Sequence, residues 1–116
     1  MNTKKWAIEY WPDATGKNSV EHWFDQLTRE QFKSLAKELK LLELCGNTLR
    51  LPHSRSLGKG LFELRERRYG CRVYYGFYVV HVIVLLAVGN KATQKKDIKT
   101  ARERLVQLTK IKGLRI

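Results

Sequence analysis

The sequence predicts an α+β fold with the element order β-α-α-β-β-β-α around a small, mostly antiparallel, four-stranded sheet. Three observations predict it. Apolar residues recur at helical spacing from Val20 to Leu42, and again from Ile98 to Leu108. Between these stretches, from Leu61 to Val88, the period shortens to two. The chain has 116 residues, 43% of them hydrophobic, which suits one core at the usual size of one domain. Residues 1–116 are therefore expected to form a single domain.

Each element has its own signal. Lys5 to Trp11 alternates around Trp6, Ile8 and Tyr10 and reads as a strand ended by Pro12. Asp13 to Lys17 reads as a turn. Asn18 with Glu21 three positions on resembles a capping box, so a helix is expected from Ser19 to about Leu27. Thr28 with Gln31 repeats the signal and opens a longer helix, with Phe32, Leu35, Ala36, Leu39 and Leu42 at helical spacing and Gly46 as its stop. Asn47 to Gly60 reads as a connecting loop. Strands are expected over Leu61–Arg67, Cys71–Tyr78 and Val82–Val88, with Arg68–Gly70 as a tight turn. The Val79–His81 segment must turn without Gly or Asn. Val82–Val88 is apolar on both faces, as a covered central strand would be. A polar, basic loop over Gly89–Lys96 leads to a last helix, from about Lys96 to Lys110. Three consecutive strands favour a meander, joined by the first strand across the helical hairpin. The helices are expected on one face, leaving the other partly open and basic.

Composition narrows the function. The formal charge is +12. Residues 1–50 hold 8 basic and 7 acidic side chains, whereas residues 51–116 hold 15 and 4. Self-repulsion concentrated in one half points to a polyanionic partner, most often nucleic acid. A solvated basic surface is the plainer alternative. No apolar run approaches the ~18 residues of a membrane span, and no signal-peptide pattern opens the chain, so no membrane partner is expected. Two cysteines, Cys45 and Cys71, make neither a disulfide framework nor a zinc site. They read as reduced thiols in a cytoplasmic protein. No cofactor and no metal are expected.

Three stretches carry a family resemblance: Gly60-Leu61-Phe62-Glu63-Leu64-Arg65, then Cys71-Arg72-Val73-Tyr74-Tyr75, then Val88-Gly89-Asn90-Lys91-Ala92-Thr93-Gln94-Lys95-Lys96. In this order, at this length and charge, they resemble the RelE/ParE toxin superfamily, and most of all its phage-derived, HigB-like branch. The resemblance spans about residues 4–108. It implies a RelE-like fold and the toxin of a type II toxin–antitoxin pair. It also implies an mRNA endonuclease acting on the ribosome, and an antitoxin of the helix-turn-helix DNA-binding type. ParE-like members share the fold but inhibit gyrase without cutting, and a degenerate RNA-binding module is a third possibility. The sequence departs from the family pattern twice. The usual Lys-Lys doublet is Lys91-Ala92, and the usual Pro near the start of the last helix is Asp97.

Metal-independent RNA cleavage sends the 2′-OH onto its own phosphorus. It needs a base, an acid and charge stabilisation of the phosphorane. Arg65 and Arg72 lie on adjacent expected strands and can clamp one phosphate if they share a face. The resemblance implies phosphate or transition-state contacts for both. The structural alternative pairs them with Glu63 and Glu66. Lys91 matches the basic residue after the family's last strand. His53 is a candidate for proton transfer because its reference pKa is ~6.5. Lys59, Arg67, Arg68, Lys95 and Lys96 are candidate RNA-backbone contacts. Tyr74 and Tyr75 point to opposite sheet faces, and Tyr75 is the candidate for stacking on a base. Phe62, Tyr69 and Tyr78 read first as aromatic core.

Overall fold

The computed structural model describes residues 5–12 and 18–115, with side chains described up to residue 110. The expected turn over Asp13–Lys17 lies outside them. The order is β1 (Ala7–Tyr10), α1 (Ser19–Asp25), α2 (Arg29–Cys45), β2 (Ser54–Gly58), β3 (Leu61–Glu66), β4 (Cys71–Tyr78), β5 (Val82–Asn90) and α3 (Gln94–Arg115). Short 3-10 turns follow α2 and β5, at Gly46–Thr48 and Lys91–Thr93.

Both helix starts form as the sequence indicates. The Asn18 side chain accepts from the Glu21 N–H, and Thr28 and Gln31 close a reciprocal capping box. α2 stops at Gly46, whose φ is 53° and whose α-hydrogen side abuts the Trp6 ring. A side chain there would meet that indole, so the position requires glycine on both counts. α1 is shorter than expected and ends at Asp25.

The sheet has five strands, in the order β1-β5-β4-β3-β2. β2 to β5 form an antiparallel meander, and β1 joins β5 in parallel, bridged in sequence by the helical hairpin. The fifth strand corrects the four-strand expectation. β2 lies inside the segment read as a loop, because Ser54, Arg55 and Ser56 carry no apolar alternation. Pairing with β3 makes it a strand; its own side chains do not.

Helices cover both faces, which corrects the expectation of one covered face. Glu66 points to the α2 side and accepts from Ser34 Oγ at 2.8 Å. Its neighbours in alternation, Glu63 and Arg65, point to the other side, where Gln94 of α3 reaches Glu63. The α2 side holds Leu64, Val73, Tyr75, Ile83 and Leu85, and the α3 side holds Leu61, Tyr74, Val84 and Ala87. β5 is thus apolar on both faces for the reason its sequence suggests. The Val79–His81 turn forms with φ of 44° at Val79 and 62° at His81. That conformation is costly for L residues. The His81 ring stacks on Trp6 at 4.7 Å, and its carbonyl accepts from Ala7 at 2.7 Å, which holds the turn.

The β3–β4 turn depends on Glu66. Its buried carboxylate accepts from the Tyr69 and Cys71 N–H groups as well as from Ser34. Burial alone would raise its pKa, but these hydrogen bonds outweigh burial and hold it below the ordinary value. Burial, reinforced by Glu66, pushes the Cys71 thiol up to about 11, so it stays protonated and unreactive at neutral pH. A carboxylate with a lowered folded pKa stabilises above its unfolded value and loses that contribution as pH falls. Glu66→Ala is expected to cost about 2 kcal/mol at pH 7, because two backbone N–H groups lose their acceptor. Urea unfolding at pH 7 and pH 3 should show the wild-type and variant curves converging in acid.

Candidate functional site: an arginine cluster on a buried carboxylate

Residues directly opposite on paired strands share a face. Arg65 of β3 is opposite Arg72 of β4, and Glu63 is opposite both Tyr74 of β4 and Arg55 of β2. The register therefore brings Arg55, Arg65 and Arg72 around one carboxylate. Glu63 has no exposed side-chain surface. Arg55 Nη2 lies 3.3 Å from Oε1, Arg65 Nε 3.8 Å from Oε1, and Arg72 Nε 3.5 Å from Oε2. Gln94, at the start of α3, donates from Nε2 to Oε2 at 2.7 Å.

Three guanidiniums against one carboxylate leave a local charge of +2. An isolated buried carboxylate would cost several kcal/mol, and these partners compensate it. They do so at ion-pair distance. The Nε groups of Arg65 and Arg72 make no hydrogen bond among the described residues. Exposure is graded across the cluster: 44% for Arg55, 34% for Arg65 and 13% for Arg72. Arg72 also donates to the Gly70 carbonyl at 3.3 Å, which ties it to the β3–β4 turn. Tyr74 is fully buried beneath the cluster. Burial first, and the Glu63 charge second, raise its pKa, so its hydroxyl stays protonated.

The end of β5 packs tightly on the start of α3. At Gly89, opposite Arg72, a side chain would run into Asp97 and Thr93. Asp97 accepts from Thr93 Oγ1 in the first turn of α3, where a negative charge also suits the helix dipole. The residue that departs from the resembled pattern thus has a structural role here. Asn90 caps the intervening 3-10 turn through Ala92 and Thr93 N–H.

The candidates divide. Arg65 and Arg72 come together, but on Glu63; they do not stand open. Lys91 is exposed in the turn directly after β5, at the strand end that carries Arg72's partner Gly89. Lys95 and Lys96 are exposed on the first turn of α3. Arg67 and Arg68 are exposed in the β3–β4 turn, and the Arg68 guanidinium lies over the Tyr69 ring. Lys59 sits in the β2–β3 turn, at the opposite end of β3 from the Arg67–Arg68 turn.

Two candidates are corrected. His53 turns to α2, where Nδ1 lies 2.9 Å from Glu38 Oε1, across the sheet from the arginines. Its backbone carbonyl meets Arg65 N–H, but its ring does not reach the cluster. Tyr75 is 1% exposed, with its hydroxyl against Ser54 and its ring stacked on Phe62, so no base can reach it. Sequence reasoning missed Arg55, because it lay in a presumed loop, and Gln94. It did not make Glu63 the centre of the arginines. The alternation Glu63-x-Arg65 was the available signal, since it puts both on one face.

Comparison with known proteins bears on the family and the fold. The profile of the family described as "Phage derived protein Gp49-like" matches residues 22–106, from α1 into α3 and including the whole cluster. Among solved structures, the isolated E. coli RelE toxin matches with a TM-score of 0.51 and 16% identity, over 81% of this chain and 96% of that one. At that identity the likeness shows the fold, which is RelE-like. No curated protein matches the sequence.

Removing the central carboxylate tests the cluster. Glu63→Ala is expected to cost about 3–5 kcal/mol, because it strands three cations at a partly buried site. Glu63→Gln keeps an acceptor for Gln94 and loses only the charge. Its stability should rise more steeply with added salt than the wild type's, as screening relieves guanidinium repulsion. Thermal melts from low to high salt check both.

Proposed function

Because the chain belongs to the phage-derived Gp49-like family and has a RelE-like fold, we propose that it is the toxin of a type II toxin–antitoxin pair. On this reading it is a HigB-like mRNA endonuclease that acts on translating ribosomes in the cytoplasm. A cognate antitoxin, of the helix-turn-helix DNA-binding type, restrains it. The observation that carries the reading is the convergence of Arg55, Arg65 and Arg72 from three adjacent strands, with local charge +2 and the Arg55 and Arg65 side chains partly exposed.

A phosphodiester arriving at the exposed side meets Arg55 and Arg65 first, with Arg72 behind them. Guanidiniums bind phosphate oxygens through paired N–H groups, and the match improves as charge builds on the phosphorane. Glu63 positions them. Held in advance, they need little reorganisation when the 2′-OH attacks. Lys91, Lys95, Lys96 and Arg67 extend the positive surface around the cluster for flanking phosphates. The cluster's part in the reaction is electrostatic. His53, whose ring pairs with Glu38, takes no part in the cluster on this reading.

The chain is to be induced in a bacterium without a partner, and mRNA 5′ ends mapped. The wild type should create new ends inside translated codons, and Arg72→Ala should lower their frequency about a hundredfold. Arg65→Ala should act in the same direction. Ribosome binding should weaken steeply with salt, as expected of backbone contacts. Growth arrest with intact mRNA would point instead to a non-cutting inhibitor of the ParE type. Soluble protein with neither arrest nor cuts would leave a basic RNA-binding module.

A further inference from the structure

The tip of the β2–β3 hairpin breaks a local rule. Gly58 pairs with Leu61, so the loop is Lys59-Gly60, and both of its residues have positive φ, 54° and 85°. That is the type I′ pattern, for which Asn-Gly is the favoured pair. A left-handed backbone is costly at Lys59, an L residue with a full side chain. A residue held against its local preference marks a place where another demand decides. The flanking glycines leave the tip open. A side chain at Gly58 would meet nothing within 4 Å, and one at Gly60 only Leu105, at 3.9 Å.

Arg102 fixes this tip to α3. Its guanidinium donates to the Leu57 carbonyl at 2.7 Å and to the Gly58 carbonyl at 3.2 Å. Gln94, at the start of the same helix, reaches Glu63. From residue 94 to residue 102, α3 therefore runs from the arginine cluster to the hairpin, over roughly 12 Å. Lys95, Lys99 and Arg102, spaced four and three apart, form one stripe along it. Lys59, Lys95 and Lys99 are exposed and make no ion pair among the described residues. Residues 54–62 and 94–102 hold one acid, Asp97, which is buried and accepts from Thr93. Neither segment exposes a large apolar side chain.

We propose that the hairpin tip and this stripe of α3 form a second phosphate subsite. Lys59, Lys95 and Lys99 hold the nucleotides that continue the strand bound at Arg55, Arg65 and Arg72. Unpaired cations on a fixed frame suit a phosphodiester backbone. A protein partner would find no apolar side chain there to bury. Continuity with the cluster selects the single strand that carries the scissile phosphate. Lys59 stands where Asn would fit the backbone better because an ammonium group is needed at that end. The proposal rests on the nucleic-acid reading of the cluster and is indifferent to which groups move protons. It sets a length requirement: a strand too short to leave the cluster gains nothing from the hairpin.

The test uses the full chain and fluorescein-labelled single-stranded RNA, 2′-O-methylated so that no hydroxyl can attack. Strands of roughly 12 and roughly 4 nucleotides are compared by anisotropy. Lys59→Asn should raise the unfolding midpoint, because Asn suits the turn, and yet weaken binding of the long strand. The loss should be about fivefold at about 0.1 M salt, with the slope of log K against log salt reduced by roughly 0.7, the share of one phosphate contact. Lys99→Gln, outside the turn, should weaken the long strand likewise. Both variants should hold the short strand within about twofold of wild type, and Lys37→Gln on α2 should do so at both lengths. Wild-type affinity of Lys59→Asn for the long strand would overturn the subsite, as would equal losses on the two strands. Loss in Arg65→Ala with none in Lys59→Asn would keep the reading of the cluster and remove the hairpin from it. Loss in Lys59→Asn with none in Arg65→Ala would overturn the continuous path and the reading of the cluster. Absence of salt-dependent binding by the wild type would overturn both.

Discussion

Glu63 is a carboxylate with no exposed surface, placed at the middle of a strand where an apolar side chain would ordinarily pack. It is tolerable only because Arg55, Arg65, Arg72 and Gln94 meet it from three other elements and from its own strand. Those partners in turn require the register of β2 against β3, of β3 against β4, and the seating of α3. A one-residue slip in either strand pair would move an arginine to the opposite face. The charge cluster and the packing of the sheet are therefore one constraint, and the local chemistry cannot form without the correct topology.

The cluster also explains how a strongly basic half-chain folds. Self-repulsion among cations of residues 51–116 is reduced where it is densest by one buried acid. The compensation is incomplete, leaving a positive surface where Arg55 and Arg65 are partly exposed. A surface in that condition suits a ligand that brings negative charge.

Glu63 and Glu66, three residues apart, do opposite work on opposite faces. Glu66 ties the β3–β4 turn and α2 together through Ser34, Tyr69 and Cys71. Glu63 gathers cations under the start of α3. The two faces of one short strand thus carry a structural acid and a site-organising acid.

The sequence by itself determined the two capped helix starts, the Gly46 stop, the strands from Cys71 to Tyr78 and through Val82–Val88, and the basic character of the second half. These depend on local hydrogen bonding, on backbone freedom and on apolar period, all of which act between near neighbours. It also placed Arg65 and Arg72 on adjacent strands. That Ser54–Gly58 is a strand follows from folding alone, because edge pairing there comes from the backbone of β3 and from no pattern in its own side chains. Tertiary structure also sent the His53 ring to Glu38 and buried Tyr75 against Ser54. It made Glu63 the centre of the arginine cluster. Strand alternation determines a shared face, but which charges meet across a sheet depends on register, and register is set by packing distant in sequence.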